Sequence, residues 1–414
     1  MRARGENLRA SVSGKVSEHD RLIGESAGMA WQSVSGRLDK ACFSRCGQKR
    51  QKRKIWSMME KKNAELLRTI TEYLKNYDGP ELRIMEVCGS HTGAIAKYGI
   101  PQLLSDRIHL ISGPGCPVCV APSAYIDRMI ELSLQPDVIV TTFGDLLRVP
   151  GSRESLSEAK GRGAKARMVY SPFDTITLAK KDPAHTYVFA ALGFETTAPV
   201  YALMARQVLE DGLSNVKLLT AVKTMPAVIR ALMDSGAPVN AFLAPGHVSV
   251  VTGSRIWEPL AERYKIPFAV AGFQGIEILE ALYGIARWTG ERSGGKVMNF
   301  YPSVVSRAGN EEAQAQIREV FEPVSAVWRG IGEIEGSGLA LRGPYTALDA
   351  GSRGLNRDVR KNKACRCGEV LCGKIPPTAC PLHGKVCTPL TPQGACMVSP
   401  EGSCRTWFEG GRKR

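Results

Sequence analysis

From residue 58 onward the apolar positions follow regular periods. The stretch MMEKKNAELLRTITEYLKNY sets Leu66, Ile70 and Leu74 at helical spacing and stops at the breaker Asp78-Gly79-Pro80. Beyond it, short apolar runs alternate with amphipathic stretches. The runs LRIMEV (82–87), IHLIS (108–112), VIVTTF (138–143), YVFAAL (187–192), KLLTAV (217–222), AFLA (241–244) and PFAVAG (267–272) predict strands. Between them, Ala121–Leu134, Thr197–Leu209, Pro226–Ser235, Ser254–Tyr264 and Gly275–Arg287 predict helices. This β-α-β-α rhythm implies parallel sheets covered by helices. The expected architecture is two similar, Rossmann-like α/β domains, residues 58–180 and 181–305. The polar stretch 151–167 reads as a loop inside the first.

After Gly290 the rhythm fades into a helix from Glu311 to Phe321 and then a tail rich in glycine, proline and cysteine. A small Cys-rich domain over 306–414 has too few apolar residues to fold alone. It needs metal or disulfide staples, or must dock on the α/β domains.

Composition narrows the class. No stretch approaches the roughly 18 consecutive apolar residues of a membrane helix, so no membrane association is expected. The first thirty residues lack the apolar core of a secretory signal, and a cytoplasmic location is expected. Twelve cysteines in a reducing compartment point to metal or thiol redox chemistry rather than a disulfide framework, and seven of them fall within 365–404. The net charge of +15 is uneven: residues 1–54 hold 13 Lys/Arg against 5 Asp/Glu, or +8. Residues 1–57 are therefore expected to be a disordered basic leader. KRQKRK (49–54) has no interleaved aromatics and no nucleic-acid fold signature beside it, so nucleic acid is not an expected partner.

Open parallel sheets bind ligands at the carboxyl ends of their strands. The segments there are CGSHTGAI (88–95), GPGCPVCV (113–120), GFETTAP (193–199), PGHVSVVTG (245–253) and GFQG (272–275). Cys116 and Cys119, flanked by glycines and prolines, read as an exposed turn at a helix start, where free N–H groups lower a thiol pKa. Their spacing permits a disulfide. It also permits half a zinc site, completed by Cys88 and His91. Cys88 at a strand end with His91 three residues on suits iron, zinc or a nucleophile–base pair. Thr196 or Thr197 reads as a helix cap, with Glu195 facing the cleft, and His247 ends a strand. The tail cysteines 365, 367, 372, 380, 387, 396 and 404 contain no Cys-x-x-Cys knuckle; their irregular spacing favours an iron–sulfur cluster, which takes four thiolates.

Over residues 60–408, MEVCGSHTGAIAKYGI, GPGCPVC, GFETTAP, PGHVS and CGEVLCGKIPPTACPLHGKVCTPLTPQGACMVSPEGSC together resemble the hydrogenase maturation protein HypD family. The resemblance implies two α/β domains and a C-terminal domain with a 4Fe-4S cluster. It implies a scaffold, rather than an independent catalyst, that assembles the Fe(CN)2CO group of [NiFe]-hydrogenases with the chaperone HypC and the cyanide donor HypE. It makes Cys88 the iron-holding thiol, with His91 nearby and the Cys116/Cys119 dithiol facing it. By further likeness to ferredoxin-thioredoxin reductase, Cys365, Cys380, Cys387 and Cys404 are the expected cluster ligands, and Cys367 and Cys396 a redox pair. Electrons are expected to pass from the cluster to the cleft. Cys372 and His383 depart from the family pattern, as does the basic leader. The alternative is a thiol-disulfide reductase of that same iron–sulfur type.

Overall fold

The computed structural model describes residues 64–291, 294–359 and 361–411; the basic leader lies outside them. The strands are β1 (Leu82–Glu86), β2 (Ile108–Ser112), β3 (Val138–Thr142), β4 (Ala166–Met168), β5 (Thr186–Gly193), β6 (Val216–Lys223), β7 (Ala241–Pro245), β8 (Pro267–Ala271), β9 (Lys296–Asn299), β10 (Phe321–Trp328) and β11 (Gly332–Leu341). Helix α1 covers 64–75. Those that matter below are α2 (Gly89–Lys97) and α3 (Ser123–Ser133).

Two sheets form, both dominated by parallel pairs. The first has the order β2-β1-β7-β8-β9 and is parallel throughout. The second runs β10-β11-β6-β5-β3-β4, parallel except for the β10–β11 hairpin and its antiparallel join to β6. The inner strands β7 and β8 are buried at every position, as expected of parallel strands covered on both faces. The α/β architecture expected from the rhythm is present, with the Cys-rich region following it.

The sheets do not divide at residue 180. The chain lays down β1 and β2, leaves to build β3 to β6, then returns with β7 to β9 to finish the first sheet. Local periodicity reports a strand's existence, whereas its neighbour is chosen by long-range packing. That is why the contiguous split misassigns β3 and β4 to the first unit and β7 to β9 to the second. Four strands escaped the rhythm, the edge strands β4, β9 and β10 and the inner strand β11. In β4 only three residues pair, and they are partly or fully exposed; β10 and β11 alternate buried with solvated positions and contain Gly, Pro and Glu. No described helix is long and apolar enough to cross a membrane.

Candidate thiol and metal site

The carboxyl ends of β1 and β2 are adjacent, because Glu86 pairs with Ser112 in parallel register. The loop after β2 is tied to the loop after β1: Gly113 N–H donates to Glu86 O at 2.8 Å, and Gly89 N–H to Gly115 O at 3.0 Å. A Cβ on Gly115 would overlap the backbone of Val87 and Cys88. Glycine there lets the dithiol loop lie directly against the Cys88 segment.

Cys88 is the N-cap of α2, so the site read from sequence as a loop is a strand-to-helix junction. Its backbone N–H donates to Glu86 Oε2 at 3.0 Å. Burial pushes the Cys88 thiol up to about 12, against the opposing pull of the His91 and Ser90 N–H groups. Glu86 is buried beneath it, accepts from Thr92 Oγ1, and is pushed up to about 8 by burial. A neutral carboxyl is therefore favoured there at pH 7.

His91 is fully buried in the first turn of α2. Its Nε2 faces two carbonyls, Gly272 O at 2.9 Å and Ala271 O at 3.2 Å, which makes Nε2 the protonated nitrogen. Nδ1 is left without a partner, and burial lowers the ring's pKa to about 4. The ring is a neutral imidazole with a free lone pair. Phe273 packs against His91 at 4.8 Å and against the exposed His247 at 3.9 Å between ring centroids, gathering both histidines at this edge.

The expectation for Cys116 and Cys119 needs correction. Both are buried, at 3% and 0% exposure, and α3 begins only at Ser123. The helix-start position belongs to Cys88. Burial, then hydrogen bonding to Cys116 and Cys396, pushes the Cys119 thiol well above its ordinary value rather than below it. The Gly/Pro loop is covered by the tail, which the loop's own composition does not reveal.

The tail docks on the α/β sheets. Cys365, Cys367, Cys387, Cys396 and Cys404 share one apolar core with Val87, Cys116, Cys119, Phe194 and Trp328. The Cys396 thiol is influenced by those of Cys119, Cys367 and Cys404, and Cys367 by Cys365, all within one buried cluster. A continuous thiol path thus runs from Cys116 through Cys119, Cys396 and Cys367 to Cys365. The Cys367 thiol is pushed up to about 12: the pull of Cys365 downward is outweighed by contact with Cys396 and by burial.

Six cysteines, 365, 367, 380, 387, 396 and 404, line one small cavity with His383, while Cys372 does not. Cys387 Sγ accepts the Gln393 N–H at 3.4 Å. His383 Nε2 donates to Cys404 O at 3.0 Å, which gives it a structural task. In number and type these donors fit a 4Fe-4S cluster, which needs four thiolates. Among the described residues, no group of three or more His, Cys, Asp or Glu is placed to hold a single metal ion.

Three further residues stand apart from this path. Glu195 is buried, its Oε1 accepts the Met225 N–H at 2.8 Å, its Oε2 has no partner, and burial pushes it up to about 7. Thr197 holds the N-cap position after it, but its hydroxyl donates to Phe194 O instead of capping. Glu401, which sequence reading passed over, accepts from Ser90 Oγ at 2.8 Å and brings the tail onto the first turn of α2. Nothing local marks it, since its partner lies at the other end of the described chain.

A family model described as HypD, Hydrogenase formation hypA family, matches residues 61–411. The chain belongs to the HypD family. Its HypD relatives include "Hydrogenase maturation factor HypD" of Rhodobacter capsulatus, 43% identical over 80% of this chain and 90% of that protein. The protein of the same name from Escherichia coli K12 is 42% identical over 83% of this chain and 93% of its own. That from Cupriavidus necator is 40% identical over 85% and 96%. The HypD match spans both sheets, the Cys88 junction and the whole cysteine cavity.

Proposed function

We propose that this chain is a cytoplasmic scaffold on which the Fe(CN)2CO group of [NiFe]-hydrogenases is assembled, working with a HypC-type chaperone and a HypE-type cyanide donor. The observation that carries the reading is the thiol path from the dithiol beside the Cys88 loop to the cysteine cavity of the tail. The cargo iron is held by Cys88, a soft donor suited to low-spin ferrous iron. His91 offers a neutral nitrogen nearby, and Glu86 a buried carboxyl that can keep or release a proton.

Cys365, Cys380, Cys387 and Cys404 would hold a 4Fe-4S cluster, which supplies electrons one at a time when bound. Cys367 and Cys396 line the same cavity and form the second redox pair. Exchange between the pairs needs only the Cys119–Cys396 contact. Cys119 thiolate attacks Cys396 of a Cys367–Cys396 disulfide, giving a Cys119–Cys396 bond and free Cys367. Cys116 then attacks Cys119 and releases Cys396. Two electrons and two protons leave the Cys116/Cys119 dithiol and reduce the other pair; the reverse sequence restores it.

A disulfide reductase acting on other proteins would use the same sulfurs. The burial of Cys116 and Cys119 favours an internal acceptor, because a protein substrate cannot reach them without the tail lifting away. Infrared spectroscopy of the anaerobically purified complex tests the proposal. Cyanide and carbon monoxide bands are expected in the wild type and absent in Cys88→Ala; bands that persist unchanged in the variant overturn the role of Cys88.

A further inference from the structure

A second candidate site lies in the second sheet, in a place no thiol lines. Strand β11 pairs with β6 only at Gly338–Lys223 and Leu339–Val222. Beyond those pairs the strands part, and the segment after β11 closes the gap: Ala350 N–H donates to Leu218 O at 2.9 Å, and Thr220 N–H to Ser352 Oγ at 2.7 Å. Between them remains a cavity of about 260 Å³, with Tyr125, Thr220, Lys223, Ser325, Ser352 and Asn356 among its walls. Pockets for drug-sized ligands start near 300 Å³, so this one suits a smaller molecule.

Lys223 is 2% exposed. Its Nζ donates to Val327 O at 2.7 Å and stands 5.4 Å from the Trp328 ring centroid. An ammonium carries three donors, and this one hydrogen bond uses a single donor. The acid that acts on it is Asp358, which is already engaged. Asp358 accepts from Gly330 N–H at 2.8 Å and Ser123 N–H at 3.1 Å, and faces the buried Arg329 at 3.8 Å. Two buried cations therefore share one carboxylate, an arrangement that a buried region does not tolerate without a further negative charge or loss of a proton. Burial does lower Lys223 to about 7, against the pull of Asp358. At the rim, Arg353 is paired with Glu322, and the single acidic lining residue among those described, Glu333, is exposed.

We infer that the cavity between β6 and β11 binds a small anion, a carboxylate or a phosphate, whose charge is met by the Lys223 ammonium and whose remaining oxygens are met by Ser325 and Asn356, since the Ser352 hydroxyl is already given to Asp349. Occupancy would bridge β6 to the hairpin that carries Trp328. Trp328 stacks on Phe194 at 5.8 Å, next to Glu195, so the site touches the core shared with the tail cysteines.

Titration calorimetry of the full chain with inorganic phosphate and with malonate, each against chloride at equal ionic strength, tests this. The expected result is saturable binding of at least one anion, with proton uptake at pH 8 as the bound charge restores the ammonium. Lys223→Met, which keeps most of the volume and removes the charge, should weaken binding by about tenfold or more. No saturable binding of either anion, or equal affinity in the variant, overturns the inference. Where the variant does not fold, proton uptake by the wild type decides: binding without uptake also overturns it.

Discussion

The thiols of Cys119, in the loop after β2, and Cys396, in the tail, act on each other inside one buried core. Two sulfurs in one such cluster are candidates for a disulfide. In a Cys116→Ser, Cys367→Ser variant Cys119 loses its other exchange partner and Cys396 keeps only Cys404 besides. Mild oxidation should then give a peptide pair linked through Cys119 and Cys396, seen by mass spectrometry of the non-reduced digest. Recovery of both residues as free thiols from folded protein would contradict the contact.

Gly115 and Gly93 make a matched pair. A Cβ at Gly115 would meet main-chain atoms of Val87 and Cys88, which cannot swing aside, whereas one at Gly93 in α2 meets nothing within 4 Å. Gly115→Ala should lower stability by about 3 kcal/mol, at the upper end of overpacking costs. Gly93→Ala should raise it by about 0.5–1 kcal/mol through helix propensity alone. Denaturant unfolding of both variants checks the contrast.

Glu195 gives a pH signature. Its carboxyl titrates near 7 when folded and near 4.5 when unfolded, so the folded state holds the extra proton between those values. Its contribution is complete below pH 4.5 and is lost as pH rises towards 7. At about 1.4 kcal/mol per unit this amounts to roughly 3 kcal/mol. Glu195→Gln cannot ionise and should flatten that part of the stability curve, measured as unfolding free energy at a series of pH values.

Cys372 and Cys387 separate cavity from periphery. Cys387 lines the cysteine cavity and Cys372 does not. Cys372→Ser should leave iron and sulfide content unchanged, and Cys387→Ser should cut both sharply, read by metal analysis and visible absorption after anaerobic purification.

The sequence was most legible where chemistry and period coincide. The inner parallel strands are largely apolar runs, and each was readable as such. Cys88 and the dithiol loop follow strands whose carboxyl ends do adjoin. What stayed hidden depends on distant parts of the chain. Ser90 cannot announce that Glu401 will accept its hydroxyl proton. The Gly/Pro loop around Cys116 looks exposed until the tail covers it. His91 needs the carbonyls of Ala271 and Gly272, supplied by a strand laid down far later, to fix its tautomer.

That order of assembly bears on the protein's birth. β1 lies between β2 and β7, and β7 is contributed only after the whole parallel part of the second sheet. A ribosome that has released the first 180 residues has therefore exposed Cys88 and the dithiol without β7, the strand that flanks β1 on its other side. Domains usually fold as they emerge, but this one cannot close behind the exit tunnel. The nascent thiols wait, open to stray metal and oxidant, until β7 and then the tail arrive; the cell must keep them reduced through nearly the full length of translation.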